Sequence, residues 1–163
     1  MTAPAPNLDL ARKVIATEAD SIARLTERID RRFAAAAELV HACAGHVILT
    51  GIGKAGLIAR KVSATLASTG TPSIFLHPVE ALHGDLGRVR RDDVVVALSH
   101  SGATRELLNL TNHLKARGAE LIAVTARAES PLARHADIAL CYGDVPEACP
   151  LGLAPSASTS CML

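Results

Sequence analysis

The sequence predicts an α/β fold in which a parallel sheet of five strands carries helices on both faces. Two observations lead to it. Five short runs rich in β-branched and aliphatic residues, Val94-Val95-Val96 among them, recur along the chain, and segments with helical apolar spacing lie between them. Such alternation implies crossover connections, which set successive strands parallel and cover both sides of the sheet. A third observation sets the domain count: 163 residues suffice for one hydrophobic core and are few for two, and no repeat, low-complexity tract or linker divides them.

Residues 1–7, with Pro4 and Pro6, read as a disordered tail and 8–163 as one domain. Leu10, Val14, Ile22, Leu25, Ile29, Phe33 and Val40 keep near-helical spacing, so 8–43 forms one long helix or two in succession. A helix placed ahead of the first strand packs either on a partner subunit or on its own sheet. Strands are expected at 46–50, 73–76, 93–98, 121–125 and 138–142, where apolar runs are short and β-branched. Helical patterns occupy 54–69 and 104–117, with a short one at 130–135. Residues 77–87 read as a loop, and the three prolines and one glycine of 146–155 make a stiff one.

Composition narrows the function classes. With 17 basic and 16 acidic residues the formal net charge is +1, so no global field draws nucleic acid or a membrane surface, and any anion site must be local. Aromatic residues are 2% of the chain, which removes stacking platforms and leaves recognition to hydrogen bonds and charge. Cys43, Cys141, Cys149 and Cys161 show neither CxxC spacing nor a paired-histidine pattern, against a structural zinc site, and scattered thiols suit a reducing cytoplasm. There is no signal-peptide pattern and no bilayer-spanning apolar run, so a cytoplasmic protein without nucleic-acid or membrane partners is expected.

Chemistry concentrates after the third strand, in Ser99-His100-Ser101-Gly102-Ala103-Thr104-Arg105-Glu106. A strand-to-helix turn exposes helix N-terminal N–H groups at the positive end of the dipole, and Gly102 lets the backbone approach an anion closely. Ser99, Ser101 and Thr104 add three neutral donors suited to a phosphate monoester, whereas helix capping alone needs one hydroxyl. After the first strand, Gly51-Ile52-Gly53-Lys54-Ala55-Gly56 matches G-x-G-x-x-G, but His77-Pro78 stands where a dinucleotide site needs an acid. Lys54 falls inside the glycine cluster rather than after it, so the stretch is not a P-loop; its ammonium either reaches over a substrate or stays solvated.

His77, Glu80, His83 and Asp85 crowd the loop after the second strand. The group suits proton transfer, with a carboxylate orienting a histidine; a divalent metal such as zinc on His77, His83 and Asp85 is the rival, and a polar surface loop the bland alternative. His41, His46, His113 and His135 fall on helices or element ends and read as structural or solvated. In the last loop the prolines can hold Glu147 over the strand ends, where a rigid, partly desolvated carboxylate abstracts a proton next to a carbonyl. Cys149 beside it has no recognisable activator and reads as an inert buried thiol.

Together, Gly51-Ile52-Gly53-Lys54, Ala67-Ser68-Thr69-Gly70-Thr71-Pro72, His77-Pro78, His83-Gly84-Asp85-Leu86-Gly87, the turn 99–106 and Glu147-Ala148-Cys149-Pro150-Leu151-Gly152-Leu153-Ala154-Pro155 resemble the sugar isomerase (SIS) domain. They resemble more closely the D-arabinose 5-phosphate isomerases of lipopolysaccharide and capsule synthesis. The serine-rich turn marks SIS domains generally, while 83–87 and 147–155 narrow the match, which runs from about residue 10 to the end. The resemblance implies a three-layer α/β/α sandwich of flavodoxin-like SIS type with a five-stranded parallel sheet, and a homotetramer. It also implies reversible conversion of D-ribulose 5-phosphate to D-arabinose 5-phosphate with no required cofactor. By residue match, Ser99, Ser101 and Thr104, with Ser68 and Thr69 as further candidates, hold the substrate's phosphate. Lys54, His83, Glu106 and Glu147 correspond to the polar residues of the family's active site. Proton movement between C1 and C2 through an enediol then assigns Glu147 as base, Lys54 as electrostatic stabiliser and His83 as proton shuttle or ring-opening group. A carboxylate beside the phosphate would repel it, so Glu106 is expected to face a neighbouring subunit's site.

The match has departures. Relatives usually continue beyond 154–159 into a long helix, a loop with another active-site histidine and often a pair of CBS domains. The resemblance therefore implies that the C-terminal helix is truncated here, leaving apolar sheet surface for a partner to cover. His100 and Ala103 differ from residues common in relatives. Two rival readings stand beside the isomerase: a sugar-phosphate sensor, against which Lys54, His83 and Glu147 argue, and an isomerase of a longer phosphosugar.

Overall fold

A computed structural model of the chain describes residues 7–163. Residues 1–6 of the expected tail lie outside the described residues. Asn7 is not tail: its side chain accepts from the Leu10 N–H at 3.0 Å and caps the first helix, α1 (Leu8–Ala23). A 3-10 turn (Arg24–Arg28) follows, then α2 (Arg31–His41), whose N-cap Asp30 accepts from the Arg32 N–H at 2.8 Å. The segment 8–43 is thus two helices, broken where Ile29 and Asp30 turn extended.

The five strands are β1 (Val47–Gly51), β2 (Ser73–Phe75), β3 (Val94–Leu98), β4 (Glu120–Thr125) and β5 (Ile138–Cys141). Between and after them lie α3 (Gly53–Ser68), α4 (Pro78–Leu82), α5 (Arg105–Ala116), α6 (Pro131–His135) and α7 (Ala157–Met162). Two of these differ from the sequence expectation. The presumed loop at 77–87 contains α4, because Pro78 presets the first helical φ and the Ala81 N–H donates to the His77 carbonyl at 2.9 Å. The hydroxyl-rich 157–162 stretch, which carries no helical periodicity, forms α7 and buries Cys161 and Met162 against the sheet.

All strand pairs are parallel, in the order β2-β1-β3-β4-β5 that flavodoxin-like folds share. Alternation along the strands divides the core into two sides. Ile48, Val95, Ala97, Leu121 and Ala123 face Leu107, Leu110 and Leu114 of α5. On the other side, Val47, Leu49 and Leu98 meet Ala59 of α3 and Met162 of α7, while Ala36 of α2 packs on Val94 and Ile122. This is the three-layer α/β/α sandwich with a five-stranded parallel sheet that the sequence led us to expect.

Candidate active site

Strand order sets where a ligand can sit. β1 and β3 are neighbours, and the chain leaves their carboxyl ends towards opposite faces, into α3 on one side and α5 on the other, so a crevice opens between the two turns. There a cavity of about 290 Å³ is lined by Lys54 from the β1 turn and by Ser99, His100, Ser101 and Thr104 from the β3 turn. Ser158 and Thr159 of α7 close it from a third direction. Its size suits a small ligand rather than a dinucleotide.

Within the β3 turn, Ser99 Oγ accepts from the Gly102 N–H at 3.1 Å and lies 2.9 Å from Thr104 Oγ1. Ser101 Oγ accepts from the Ala103 N–H at 3.2 Å. Gly102 has φ +61°, and a Cβ there would stand 2.2 Å from Ser130 Oγ and 2.8 Å from Thr125 Oγ1, so only glycine lets the turn lie this close to α6. Thr104 occupies the N-cap position of α5 yet makes no capping bond, its hydroxyl being committed to Ser99. The plain capping role is therefore not what this hydroxyl performs, and the first N–H groups of α5 have no side-chain partner. The start of α3 is likewise uncapped by any side chain. Lys54 adds an exposed ammonium to the first turn of α3, where the helix dipole is already positive. Two helix N-termini and a lysine converge on one small volume, an arrangement that a bound anion stabilises.

Other predicted residues stand elsewhere. Ser68 and Thr69 lie at the far end of α3, roughly 21 Å along the axis from Lys54. Their hydroxyls return to their own helix, Ser68 to the Ala64 carbonyl at 2.8 Å and Thr69 to the Thr65 carbonyl at 3.1 Å. Glu106, in the first turn of α5, is exposed and lines a different hollow with Leu82 and Asn109. His83 is exposed at the C-terminal end of α4, outside the cavity.

The metal expectation requires correction. His77 and His83 flank α4 at opposite ends, roughly 9 Å apart along the axis, and Asp85 pairs instead with Arg88 at 3.3 Å. Among the described residues no group of three or more histidine, cysteine or acidic side chains is placed to hold a metal ion.

Glu147 does not line the cavity; it stands at the N-terminal end of α7. Its Oε2 accepts from the Ser156 N–H at 2.7 Å, the Ser156 hydroxyl at 3.3 Å and the Ser158 N–H at 3.3 Å. Burial pushes this carboxyl up, but the hydrogen bonds from Ser158 and Ser156 outweigh it and hold it below the usual carboxylate range. The group is ionised at neutral pH, the form a base must have, while its donors weaken its basicity. Cys149 differs from the inert buried thiol expected of it. It is half-buried, and backbone N–H groups of Leu153, Ala154 and Leu151 pull its thiol below the ordinary range.

His100, Tyr142, Ser156, Ser158 and Thr159 were not among the sequence-predicted site residues. The hydroxyl run Ser158-Thr159-Ser160 was a readable signal for α7's contribution. Nothing local pointed to Tyr142, whose hydroxyl lies 2.8 Å from His100 Nδ1 across 42 positions of chain.

The sequence profile of the SIS domain matches residues 42–163. Over 152 residues the chain is 49% identical to the arabinose 5-phosphate isomerase KdsD of Shigella flexneri, an alignment covering 93% of this chain and 46% of that protein. The arabinose 5-phosphate isomerase KdsD of Pseudomonas aeruginosa is 48% identical over 160 residues, covering 96% of this chain and 49% of that protein. The chain thus spans about half the length of the curated relatives it matches. A solved structure of E. coli CFT073 c3406 in complex with A5P superposes with a TM-score of 0.90 at 41% identity, covering 96% of this chain and 85% of that one.

Proposed function

The chain belongs to the SIS domain family, and from that premise we propose that it is an aldose–ketose isomerase interconverting D-ribulose 5-phosphate and D-arabinose 5-phosphate through an enediol. One observation carries the proposal. Lys54, three hydroxyls and two uncapped helix N-termini converge on one small cavity, in a fold that superposes on a protein solved with A5P.

In this reading Ser99, Ser101 and Thr104, with the N–H groups of their turn, hold the phosphate, and Lys54 stabilises the enediolate that develops at the other end. Glu147 is the base that moves the proton between C1 and C2. Ser158 lines the cavity while its backbone N–H donates to Glu147 Oε2, so the base is tied to the residue that forms the cavity wall. His83 as proton shuttle and Glu106 as a group facing a neighbouring subunit's site both call for a neighbouring subunit, as in the proposed homotetramer, because neither side chain lines the cavity of its own chain or bonds to its wall, as Glu147 does through the Ser158 N–H. Residues 8–163 then form one SIS domain of a cytoplasmic enzyme whose product serves lipopolysaccharide or capsule synthesis. No helix among the described residues is long and apolar enough to cross a membrane.

Incubation with D-ribulose 5-phosphate in deuterated water tests the proposal, with deuterium expected to enter at the carbon next to the carbonyl. The donors on Glu147 favour one second reading, a sensor that binds a sugar phosphate without turning it over. Tight, phosphate-dependent binding with no exchange would select the sensor.

A further inference from the structure

His100 stands between the two serines of the β3 turn and lines the cavity. Its backbone is held firmly: the carbonyl accepts from the Ala126 N–H at 3.1 Å and from Thr125 Oγ1 at 3.2 Å. Its ring is held too, with Nδ1 lying 2.8 Å from the Tyr142 hydroxyl. Tyr142 follows β5, is 7% exposed, and donates its own N–H to the Thr125 carbonyl at 3.1 Å. The turn and the ends of β4 and β5 therefore clamp one imidazole.

The clamp decides which ring nitrogen carries the proton. A buried phenol must place its hydrogen on an acceptor, and among the described residues His100 Nδ1 is the hydrogen-bond partner of the Tyr142 hydroxyl. Were Nδ1 protonated, it would occupy the phenol oxygen as a donor and leave the phenol hydrogen unpaired in a buried site, which is costly. Tyr142 stays protonated at all ordinary pH values, since burial, with the nearby Cys161, Glu147 and Asp144, pushes its hydroxyl well up. Tyr142 therefore donates, Nδ1 accepts, and the ring hydrogen sits on Nε2. No hydrogen bond among the described residues uses Nε2.

We infer that His100 is a phosphate-contacting residue of this cavity, fixed by Tyr142 as the Nε2–H tautomer so that it offers a neutral N–H donor beside Ser99 and Ser101. The inference rests on the reading of the cavity as a phosphosugar site, and it concerns binding of the phosphate rather than turnover. It assigns to the pair a role neither residue has by itself: Tyr142 is the positioning residue and His100 the contact.

Inorganic phosphate and D-arabinose 5-phosphate titrated into 15N-histidine-labelled protein test it, read by the imidazole nitrogen shifts and by calorimetric Kd. The wild-type ring is expected as Nε2–H, with the Nε2 resonance moving as phosphate is added. His100→Ala should weaken phosphate about five- to tenfold, the worth of one neutral hydrogen bond, and His100→Gln should recover part of the loss. Tyr142→Phe should leave the ring as mixed tautomers and weaken phosphate by a smaller factor. A wild-type ring found as Nδ1–H, or an Nε2 resonance unmoved by saturating phosphate, overturns the inference, as does an unchanged phosphate Kd in a folded His100→Ala protein. The nitrogen shifts need no variant, so they decide even if His100→Ala fails to fold. Phosphate-induced Nε2 shifts without deuterium exchange would sink the isomerase reading and leave this one standing.

Discussion

Replacing Gly102 by alanine should both strain the β3 turn and drive a methyl group into Ser130, so a loss of about 1–3 kcal/mol in urea unfolding is expected, together with weakened phosphate binding. An alanine variant of wild-type stability would show that the turn is held less tightly than these distances require. Glu147→Gln keeps the shape but removes the base, and deuterium exchange should fall about a hundredfold or more while phosphate affinity is kept. Near wild-type turnover would remove Glu147 from the mechanism. The thiols should separate in reactivity. Backbone N–H groups lower Cys149, whereas burial raises Cys141 and Cys161, so iodoacetamide at neutral pH should alkylate Cys149 before those two, as peptide mass spectrometry would read. Prior modification of Cys161 would contradict this ordering. At this scale the chemistry was legible wherever residue type alone carries it, as with the hydroxyls of 99–104 and with Lys54. The restraint on Glu147 was not, because its donors come from backbone N–H groups at the start of a helix whose position depends on packing.

Among the elements, α5 and the β4–β5 edge are joined by Asp137, which accepts from the Leu121 N–H at 2.8 Å and pairs with Lys115. Burial pushes this carboxyl up, but Lys115 and the Leu121 N–H outweigh it and hold it below its ordinary range. A depressed folded-state pKa means stability that is fully present above the unfolded value near 3.8 and is lost as pH falls through the lower folded value. Asp137→Asn should therefore flatten the acid limb of a stability–pH curve while changing its slope little near neutrality. The core makes a larger demand. Leu110 of α5 is fully buried, so Leu110→Ala should cost about 2–5 kcal/mol in denaturant unfolding. The strands were readable within a residue or two because β1 and β3 are continuous apolar runs with few alternatives. Two short helices were not. α4 has five residues, too few to show a period, and α7 is built from Ala, Ser, Thr, Cys and Met, held as a helix by the burial of its last two side chains rather than by propensity.

For the molecule as a whole, Leu8, Ile15 and Ile22 recur every seven residues along α1 and stay 63, 69 and 47% exposed. A seven-residue apolar stripe of this kind suits packing against another helix, and a second copy of the chain supplies one. The proposed homotetramer is expected to use it, so Ile15→Asp combined with Ile22→Asp should sediment as a smaller species than the unaltered protein. A 17.0 kDa monomer for the unaltered chain would overturn the oligomer proposal, and with it the shared-site roles of His83 and Glu106. The sequence alone determined the sheet, the alternation around it and the segments that carry chemistry, since period and propensity are local properties. Which of those segments meet is decided by strand order and helix direction. Placing β1 beside β3 brings Lys54 to Ser99, and the direction of α3 carries Ser68 and Thr69 to the opposite edge. The end of β5 sets Tyr142 against His100. Those are contacts between distant parts of the chain, and only packing around a shared core selects them.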